Sequence, residues 1–365
     1  MASCSFCKVA SKEKLKSCVC GKVSYCSKEC QTKDWKVHKP SCPPFIIRES
    51  PGKGRGLFAT RKIKEGQLIL EEHPLLTLGA IELNEFKINH FPNIDIDTKV
   101  KILQLHDPAE NISTLELESE TVENLVVGNL LLVNMEDKTD EISQIFRIFY
   151  GNYIQICAEK DLYSNTTEYG LYNKISLINH ACVPNATWTW VMGDFKRKQV
   201  RALMTIEKDE EILVNYCNTA EFVYGAREFR RQKLLRTKGF LCQCSECSLE
   251  GEDLEDSERV RAEIRENDVE IVQLMRSQGS PRRSIVKKAM KLAQRKTKLV
   301  QKLDIRDRFV AEMVLACRFS VEARRLGISC RNEPEIFKQE AWKYAQMFGD
   351  YYIRVFNIAL SMIGI

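Results

Sequence analysis

No apolar run in this sequence is long enough to cross a membrane. The longest, 125–133, is far shorter than the roughly 20 residues that a spanning helix requires. The N-terminus lacks the apolar segment of a secretory signal, and no low-complexity block occurs. We therefore expect a protein that resides in the cytoplasm, the nucleus or both, without membrane contact.

A strong excess of one charge is also absent. The 55 basic and 50 acidic side chains leave a net charge of +5, which does not by itself indicate a nucleic-acid partner. With 44% hydrophobic and 29% charged residues, the composition is that of an ordinary globular protein. A chain of 365 residues is long enough for two or three modules, each with its own core.

Cysteine, by contrast, is abundant and clustered. Of the 15 cysteines, seven lie in the first 42 residues and three lie between residues 242 and 247. Reducing compartments do not keep structural disulfides. Clustered thiols in an intracellular protein therefore indicate metal binding.

The N-terminal cluster offers eight candidate ligands, enough for two closed tetrahedral zinc sites. A segment of 42 residues is too small to be stabilised by burial alone, whereas zinc binding supplies about 10 kcal/mol or more of folding free energy. The candidate ligands are Cys4, Cys7, Cys18, Cys20, Cys26, Cys30, His38 and Cys42.

The N-terminal module also has nine lysines and three acidic residues. Seven thiolates with two zinc ions would subtract about three charges from this excess. The remaining positive charge is too small to indicate nucleic acid. Direct nucleic-acid binding is therefore not expected, and a peptide-docking face, on which Trp35 is expected to be exposed, is the preferred interpretation.

Hydrophobic patterning divides the rest of the chain. Short strand-like runs fill 43–79, a mostly helical pattern covers 80–151, and strand patterns return in 152–219, where a turn at 192–194 separates two of them. The acidic segment 250–258 predicts a solvated linker. Four amphipathic stretches in 258–365 then predict a helical region.

Several local motifs carry a family resemblance. The segment YCSKECQTKDWKVHKPSC resembles the MYND finger, including Tyr25, Gln31, Trp35 and His38. In that family the ligand pairs interleave. The resemblance therefore implies one zinc on Cys4, Cys7, Cys26 and Cys30, and a second on Cys18, Cys20, His38 and Cys42. One departure is the Cys18-Val-Cys20 pair, where the family usually has two intervening residues.

A second group of motifs resembles the SET domain. These are the glycine-rich turn at 52–57, LINHACVPNAT at 177–187, EEILVNY at 210–216 and FLCQCSEC at 240–247. Together with the finger they resemble the SET-and-MYND family. The resemblance implies an α+β fold with a MYND finger at 1–42, a SET domain in two parts at 43–79 and 152–219, a helical insertion at 80–151, a post-SET segment with a zinc site at 220–249, and an all-helical region at 258–365.

The family's activity is S-adenosylmethionine-dependent methylation of lysines in histones or other proteins, so the resemblance implies a protein-lysine N-methyltransferase. Tyr216 would be the catalytic tyrosine at the methyl-transfer pore and would also contact the cofactor. The other implied cofactor contacts are Lys53, Gly54, Arg55, Asn152, Asn179, His180 and Phe240. A third zinc would be bound by Cys182, Cys242, Cys244 and Cys247, and all three zinc ions would be structural.

Two departures keep an alternative open. Ala181 replaces the family's usual serine, and Lys238 stands where members often carry a second channel tyrosine. A charged side chain there could point to solvent, or could alter substrate choice or activity. The alternative is therefore an interaction scaffold that recruits partners through its MYND finger and has weak or no methyltransferase activity. The expected partners are a protein or peptide substrate and proline-rich peptides bound by the finger, and we expect a monomer.

Overall fold

The computed structural model describes residues 3–10, 15–18, 20–79, 94–107, 139–156, 168–191, 193–276, 282–330, 333–349, 353, 356 and 357. Helices and small sheets are both present in these ranges, which confirms the predicted α+β class. None of the described helices combines the length and the apolar composition that a membrane span needs.

The N-terminal module is a two-stranded ribbon followed by one helix. Strand β1 (Lys16–Ser17) pairs antiparallel with β2 (Ser24–Tyr25), and α1 covers Lys28–His38. The Ser27 side chain accepts a hydrogen bond from the Cys30 amide and so caps α1. Among the described residues of this module, the buried side chains are Tyr25, His38 and three cysteines, as the small size of the segment predicts.

The central domain contains three small sheets. Their strand orders are β3-β4-β12-β9, β10-β11-β5 and β6-β8-β7. The strands are β3 (Phe45–Ser50), β4 (Gly54–Ala59), β5 (Leu68–Glu72), β6 (Leu76–Gly79), β7 (Ile154–Ile156), β8 (Glu168–Leu171), β9 (Asn179–His180), β10 (Ala186–Val191), β11 (Asp194–Ala202) and β12 (Glu211–Val214).

The first sheet brings together three segments that are far apart in the chain. Strand β12 pairs antiparallel with β4, and Glu211 lies opposite Phe58. On its other side β12 pairs parallel with the short strand β9, so Val214 lies opposite His180. The glycine-rich turn, the NHAC segment and the EEILVNY segment therefore meet along β12.

The predicted turn before β11 connects the two strands of a hairpin. Strand β10 pairs antiparallel with β11, and Gly193 in the connection has a φ of +79°. This left-handed backbone conformation favours glycine. The hairpin places Trp188 and Trp190 opposite Val200 and Lys198, and these aromatic side chains line the cavity described below.

Two helices are described in the predicted insertion. Helix α2 (Ile96–Leu103) begins after Asp95, whose side chain accepts a hydrogen bond from the Thr98 amide. Helix α3 covers Thr139–Asn152 and leads directly into β7. The apolar segment 125–133 lies outside the described residues.

The C-terminal region is helical, as predicted. The helices that follow the central sheets are α4 (Ala220–Val223), α5 (Arg227–Lys238), α6 (Gly251–Arg276), α7 (Arg282–Lys302), α8 (Phe309–Arg325) and α9 (Glu333–Phe348). The four long helices from α6 onwards match the four predicted amphipathic stretches.

The prediction of a solvated linker at 250–258 was wrong. Helix α6 begins at Gly251, and Glu252 and Asp253 lie in its first turn. Carboxylates in this position stabilise a helix because they interact favourably with its positive N-terminal end. An acidic run therefore starts a helix here instead of separating two domains.

One hydrophobic cluster joins the helical region to the end of the central domain. It includes Phe222 of α4, Leu234 of α5, Leu299 of α7 and Phe309 of α8. A buried polar contact adds to it, because the Tyr224 hydroxyl donates to Glu312 Oε1 at 2.7 Å. The start of α8 is thereby held against the segment that follows β12.

Candidate functional site

Three groups of four cysteine or histidine side chains lie close enough together to bind a metal ion. Within each group all four ligand atoms lie within 4.8 Å of one another. The groups are Cys4, Cys7, Cys26 and Cys30; Cys18, Cys20, His38 and Cys42; and Cys182, Cys242, Cys244 and Cys247. These are the same three sets that the sequence and its resemblance predicted.

The sulfur distances fit tetrahedral zinc. Sulfur atoms bound at about 2.3 Å to a tetrahedral zinc lie about 3.8 Å apart. The Cys18 and Cys42 sulfurs lie 3.7 Å apart, and so do those of Cys7 and Cys26. The pair Cys182 and Cys247 lies at 3.6 Å. A disulfide would require about 2 Å, so these groups are thiols arranged around a point and not bonded pairs.

Both cysteines of the shortened Cys18-Val-Cys20 pair join the second group. Cys20 Sγ lies 3.3 Å from His38 Nε2 although only one residue separates Cys20 from Cys18. The other ring nitrogen of His38 lies 3.4 Å from the Ser41 hydroxyl, and such a contact orients a ligating imidazole. The one-residue shortening therefore does not keep Cys18 or Cys20 out of the group.

The third group joins the NHAC segment to the chain that follows α5. A buried cation offsets part of its negative charge. Arg230 is only 1% exposed and donates from Nε to Cys182 Sγ at 3.3 Å. The Cys182 amide donates to Cys244 Sγ at 3.4 Å. Four thiolates around one zinc carry a net charge of about −2, so a buried arginine beside them reduces the cost of burying that charge.

The glycine-rich turn lies against β12 and β9. Gly52 and Gly54 have φ values of +71° and +69°, so both glycines serve the turn conformation. Gly56 serves a close approach instead. A side chain there would collide with Glu211 Oε1 and would come within 2.9 Å of Asn179 Nδ2. Gly56 was not among the predicted cofactor residues.

Asn179 lies at the centre of a polar group. Its Nδ2 donates to the Arg55 carbonyl at 3.1 Å and to Glu211 Oε1 at 2.8 Å. The other Glu211 oxygen accepts from Lys53 Nζ at 3.3 Å, and the Glu211 side chain is 14% exposed. The structure thus brings Lys53, Arg55 and Asn179 together around the Glu211 carboxylate, whereas Gly54 serves the turn between Lys53 and Arg55.

Glu211 itself was missed in the sequence. In the predicted strand EEILVNY, the alternation of side chains puts Glu210 and Glu211 on opposite faces. The structure agrees with that separation, because Glu210 Oε1 accepts from Asn185 Nδ2 instead. The signal that could have identified Glu211 is the cross-strand glycine, since Gly56 leaves the space that this carboxylate occupies.

Asn152 lies in a different hydrogen-bond group from Asn179. Its Nδ2 donates to the carbonyls of His106 and Ile148, both at 2.7 Å. The Arg55 guanidinium likewise donates to the Gln104 carbonyl. The short segment after α2 is therefore held by two of the predicted cofactor residues. The second Asn152 hydrogen bond goes to Ile148 in its own helix.

His180, Tyr216 and Phe240 form an aromatic group next to the Asn179 group. The ring centroid of Tyr216 lies 5.2 Å from that of His180 and 6.2 Å from that of Phe240. The Tyr216 amide donates to His180 Nδ1 at 3.1 Å. Because Nδ1 accepts, the proton of the neutral imidazole is on Nε2, which lies 3.5 Å from Cys182 Sγ. Burial lowers the pKa of His180 to about 4, so the ring is neutral at physiological pH.

Tyr216 also faces a cavity of about 860 Å³. Its ring stacks on Trp188 with centroids 6.2 Å apart and an angle of 8°. The cavity lies between the central domain and α8, since Val310 and Val314 contribute to its wall. Of the predicted cofactor residues only Asn152 and Tyr216 line it. Tyr216 therefore lies between the Asn179–His180 segment and the cavity, as does Phe222, whose ring centroid is 5.9 Å from that of His180.

The structure decides between the two orientations considered for Lys238. Its side chain lines the cavity, with Nζ 3.4 Å from the Gly151 carbonyl and 4.6 Å from the centre of the Tyr153 ring. Burial lowers the pKa of Lys238 to about 8. The alternative in which this charge points to solvent is excluded.

One sequence-based expectation about the N-terminal module needs correction. Trp35 was expected to be exposed and available for a partner. It is half-buried against the cysteine cluster of the module, and the Arg61 guanidinium lies 5.5 Å from its ring centre. Its amphipathic ring helps to join the finger to the central domain, which sequence pattern alone does not reveal.

Comparisons with known proteins agree with this arrangement. Residues 4–42 match the MYND finger, and residues 54–217 match the SET domain. The chain is 29% identical over 257 residues to histone-lysine N-methyltransferase ASHR1 of Arabidopsis thaliana, which covers 67% of this chain and 46% of that protein. It is 26% identical over 266 residues to human N-lysine methyltransferase SMYD2, covering 72% of this chain and 53% of that protein.

The predicted order, a MYND finger N-terminal to a SET domain, is thereby confirmed. The chain spans about half the length of the curated relatives it matches. A crystal structure of the SET domain of LSMT bound to lysine and AdoHcy is 12% identical, with a TM-score of 0.33 over 90% of both chains.

Proposed function

We propose that this chain, in which a MYND finger precedes a SET domain, is an S-adenosylmethionine-dependent protein-lysine N-methyltransferase. The observation that carries the proposal is the position of Tyr216. One side of its ring meets His180 and Phe240, which belong to the expected cofactor surface, and the other side meets Trp188 in the cavity wall. A residue in this position lies where a methyl group would pass from cofactor to substrate.

The Asn179 group suits the amino-acid end of the cofactor. That end carries an ammonium and a carboxylate, and the group offers the Glu211 carboxylate and the Lys53 ammonium, 3.3 Å apart. We propose that Glu211 and the Arg55 carbonyl bind the ammonium, while Lys53 binds the carboxylate. Bound there, S-adenosylmethionine would supply an electrophilic methyl group. Gly54, Arg55, Asn152, Asn179, His180 and Phe240 would form the remaining contacts.

Tyr216 would orient the reacting groups without transferring a proton. Burial and the nearby Glu211 charge raise its pKa, so its phenol stays neutral at physiological pH. Its proton is donated to the Ile178 carbonyl at 2.8 Å. The lone pairs of the hydroxyl oxygen are then left to accept from the substrate amine and from the polarised methyl C–H groups.

The substrate amine must be neutral to attack. A free lysine has a pKa near 10.4, and the aromatic wall formed by Trp188 and Tyr216 disfavours its ammonium form by removing water. The wall also restricts the direction of approach, and such alignment can supply several kcal/mol of the barrier reduction. The chemistry requires no metal-bound water, so we propose that all three zinc ions are structural.

The MYND finger is proposed to bind proline-rich peptides of partner proteins. Its exposed lysines support a peptide-docking face, although Trp35 is half-buried and contributes only one edge. We further propose that the protein acts as a monomer in the cytoplasm, the nucleus or both, without direct nucleic-acid binding. If the Tyr216→Phe variant still binds peptides through the finger, this binding role is separate from catalysis.

The test of the proposed function is methyl transfer from radiolabelled S-adenosylmethionine to lysines on a protein and peptide array. Transfer to lysine by the wild-type protein, and its loss in Asn179→Ala, is the expected result. A protein that binds the cofactor and peptides but transfers no methyl group would favour the scaffold.

A further inference from the structure

Two lysines on the α5 wall of the cavity have no carboxylate partner among the described residues. Lys233 and Lys238 both line the cavity. Lys238 contacts the Gly151 carbonyl and the Tyr153 ring, and Lys233 has no side-chain partner in the described chain. A partly buried ammonium without a counter-charge is costly, so a negative ligand group would gain more here than on an open surface.

Both cations act close to the proposed pore. Burial raises the pKa of the Cys217 thiol, while the charges of Lys238 and Lys233 lower it. Cys217 follows Tyr216 directly in the chain. A ligand group that meets these two lysines would therefore lie near the point where the target lysine must enter.

The other charged groups of the cavity do not cancel the positive charge of Lys233 and Lys238. Four cations and two carboxylates line it. Asp307 precedes Arg308 in the chain, and Arg308 lowers the raised pKa of this buried carboxyl. Glu221 is exposed on α4. The cavity wall thus carries an excess of positive charge, in which Lys233 and Lys238 are the cations on the α5 side.

The aromatic residues of the cavity do not form a free cage for a second cation. The Lys238 ammonium already lies over the Tyr153 ring, and the Lys198 ammonium lies 4.4 Å from the centre of Trp190. Cation–π contacts of this kind are favourable. A second ammonium would have to compete with these resident charges, whereas a carboxylate would not.

We infer that the cavity selects a substrate segment in which an aspartate or glutamate lies near the target lysine, and that Lys233 and Lys238 bind that carboxylate. The inference rests on the proposed function because it takes the target lysine to be methylated. Binding of the acidic segment itself does not depend on methyl transfer. Lys233 and Lys238 are specificity-determining residues in this account and take no part in the chemistry.

The test measures binding and methylation of the same peptides by the full chain. Short fluorescent peptides carry one central lysine flanked by glutamate, glutamine or arginine. Wild type should bind the glutamate-flanked peptide about ten-fold more tightly than the glutamine-flanked one, on the scale of one hydrogen-bonded charge pair. Lys233→Glu should abolish this preference and favour the arginine-flanked peptide. Lys233→Gln should remove the preference for the glutamate-flanked peptide without reversing it. This variant tests the inference if Lys233→Glu does not fold.

A matched control separates a local effect from a change in net charge. Lys291→Glu makes the same charge change on the exposed face of α7, and should leave the preference as it is in wild type. Binding without discrimination between glutamate and glutamine flanks, or no binding of any glutamate-flanked peptide, would overturn the inference. A clear binding preference in a protein that methylates none of the peptides would instead overturn the proposed enzyme and leave the inference standing.

Discussion

The Tyr216 hydroxyl donates a 2.8 Å hydrogen bond to the Ile178 carbonyl, 38 residues earlier in the chain. Ile178 immediately precedes β9, so this bond fixes the phenol against the segment that carries Asn179 and His180. The phenol proton is committed to a carbonyl, and its oxygen can only accept from a ligand. This arrangement fits a residue that orients an amine and does not fit a general base.

The first prediction concerns Glu211, which holds both Asn179 and Lys53. Glu211→Gln keeps the shape and removes the charge, so it should weaken S-adenosylmethionine binding by about ten-fold, the scale of one charge-assisted hydrogen bond. Glu210→Gln is the control, because Glu210 faces Asn185. Titration calorimetry measures both variants. Equal affinities for the two would remove Glu211 from the cofactor site.

The second prediction concerns metal content. Elemental analysis should find three zinc ions per chain, and Cys182→Ser should lose one of them. That zinc ties the NHAC segment to the chain after Phe240, so the same variant should also bind S-adenosylmethionine less tightly although Cys182 does not contact it. Cys330→Ser changes a thiol outside the three groups and should alter neither quantity. A Cys182→Ser protein with three zinc ions would show that the fourth ligand lies elsewhere.

The third prediction compares two lysines on α7. Lys296 is 4% exposed and lies 2.8 Å from Glu312 and 2.5 Å from Asp268. Lys296→Met removes one counter-charge from the buried Glu312 carboxylate, which keeps the Tyr224 hydroxyl and Arg308 at 3.5 Å. It should lower the free energy of unfolding by about 3 kcal/mol, the lower end of the range for a broken buried ion pair. Lys302→Met breaks a pair with Asp256 in which both side chains are exposed, and should cost about 0–1 kcal/mol. Denaturant unfolding that gives similar losses for both would contradict the importance of the buried network.

The fourth prediction is a pH dependence. Burial raises the pKa of Asp307 from 3.8 to about 6, and its Oδ1 lacks a hydrogen-bond partner within the described structure. A raised folded-state pKa means that stability is lost as pH rises through about 6. Asp307→Asn removes this loss, so its stability advantage over wild type should grow between about pH 4, near the unfolded-state pKa, and pH 6, near the folded-state pKa, and then level off. Thermal melts of both proteins across this range check it. An advantage that is the same at every pH would mean that Asp307 does not titrate in this way.

Sequence spacing predicted the eight N-terminal ligands because they lie within 42 positions of one another. Their division into two interleaved groups, and Cys182 as the fourth ligand of the third group, came from the family resemblance. The α+β class and the helical C-terminal region also follow from periodicity. Lys53, Arg55, Asn179, His180 and Tyr216 were brought together by recognisable motifs, and the structure places them along β12 and β9.

The parts that sequence could not predict depend on contacts between distant segments. Glu211 becomes important only because Gly56 on the neighbouring strand leaves space for its carboxylate. The orientation of Lys238 depends on Gly151 and Tyr153, which come from the end of the insertion. Trp35 is covered by Arg61 of the central domain. Such burial by another module leaves no mark on local periodicity.

The central claim is that Tyr216 acts at a methyl-transfer pore, and the most direct measurement is single-turnover methyl transfer by Tyr216→Phe. The variant keeps the ring against Trp188 and Phe240, so S-adenosylmethionine affinity should change little. Loss of the hydroxyl should slow methyl transfer by about 100-fold, the scale of losing one preorganised polar contact. A Tyr216→Phe protein that transfers methyl groups as fast as wild type would contradict the account.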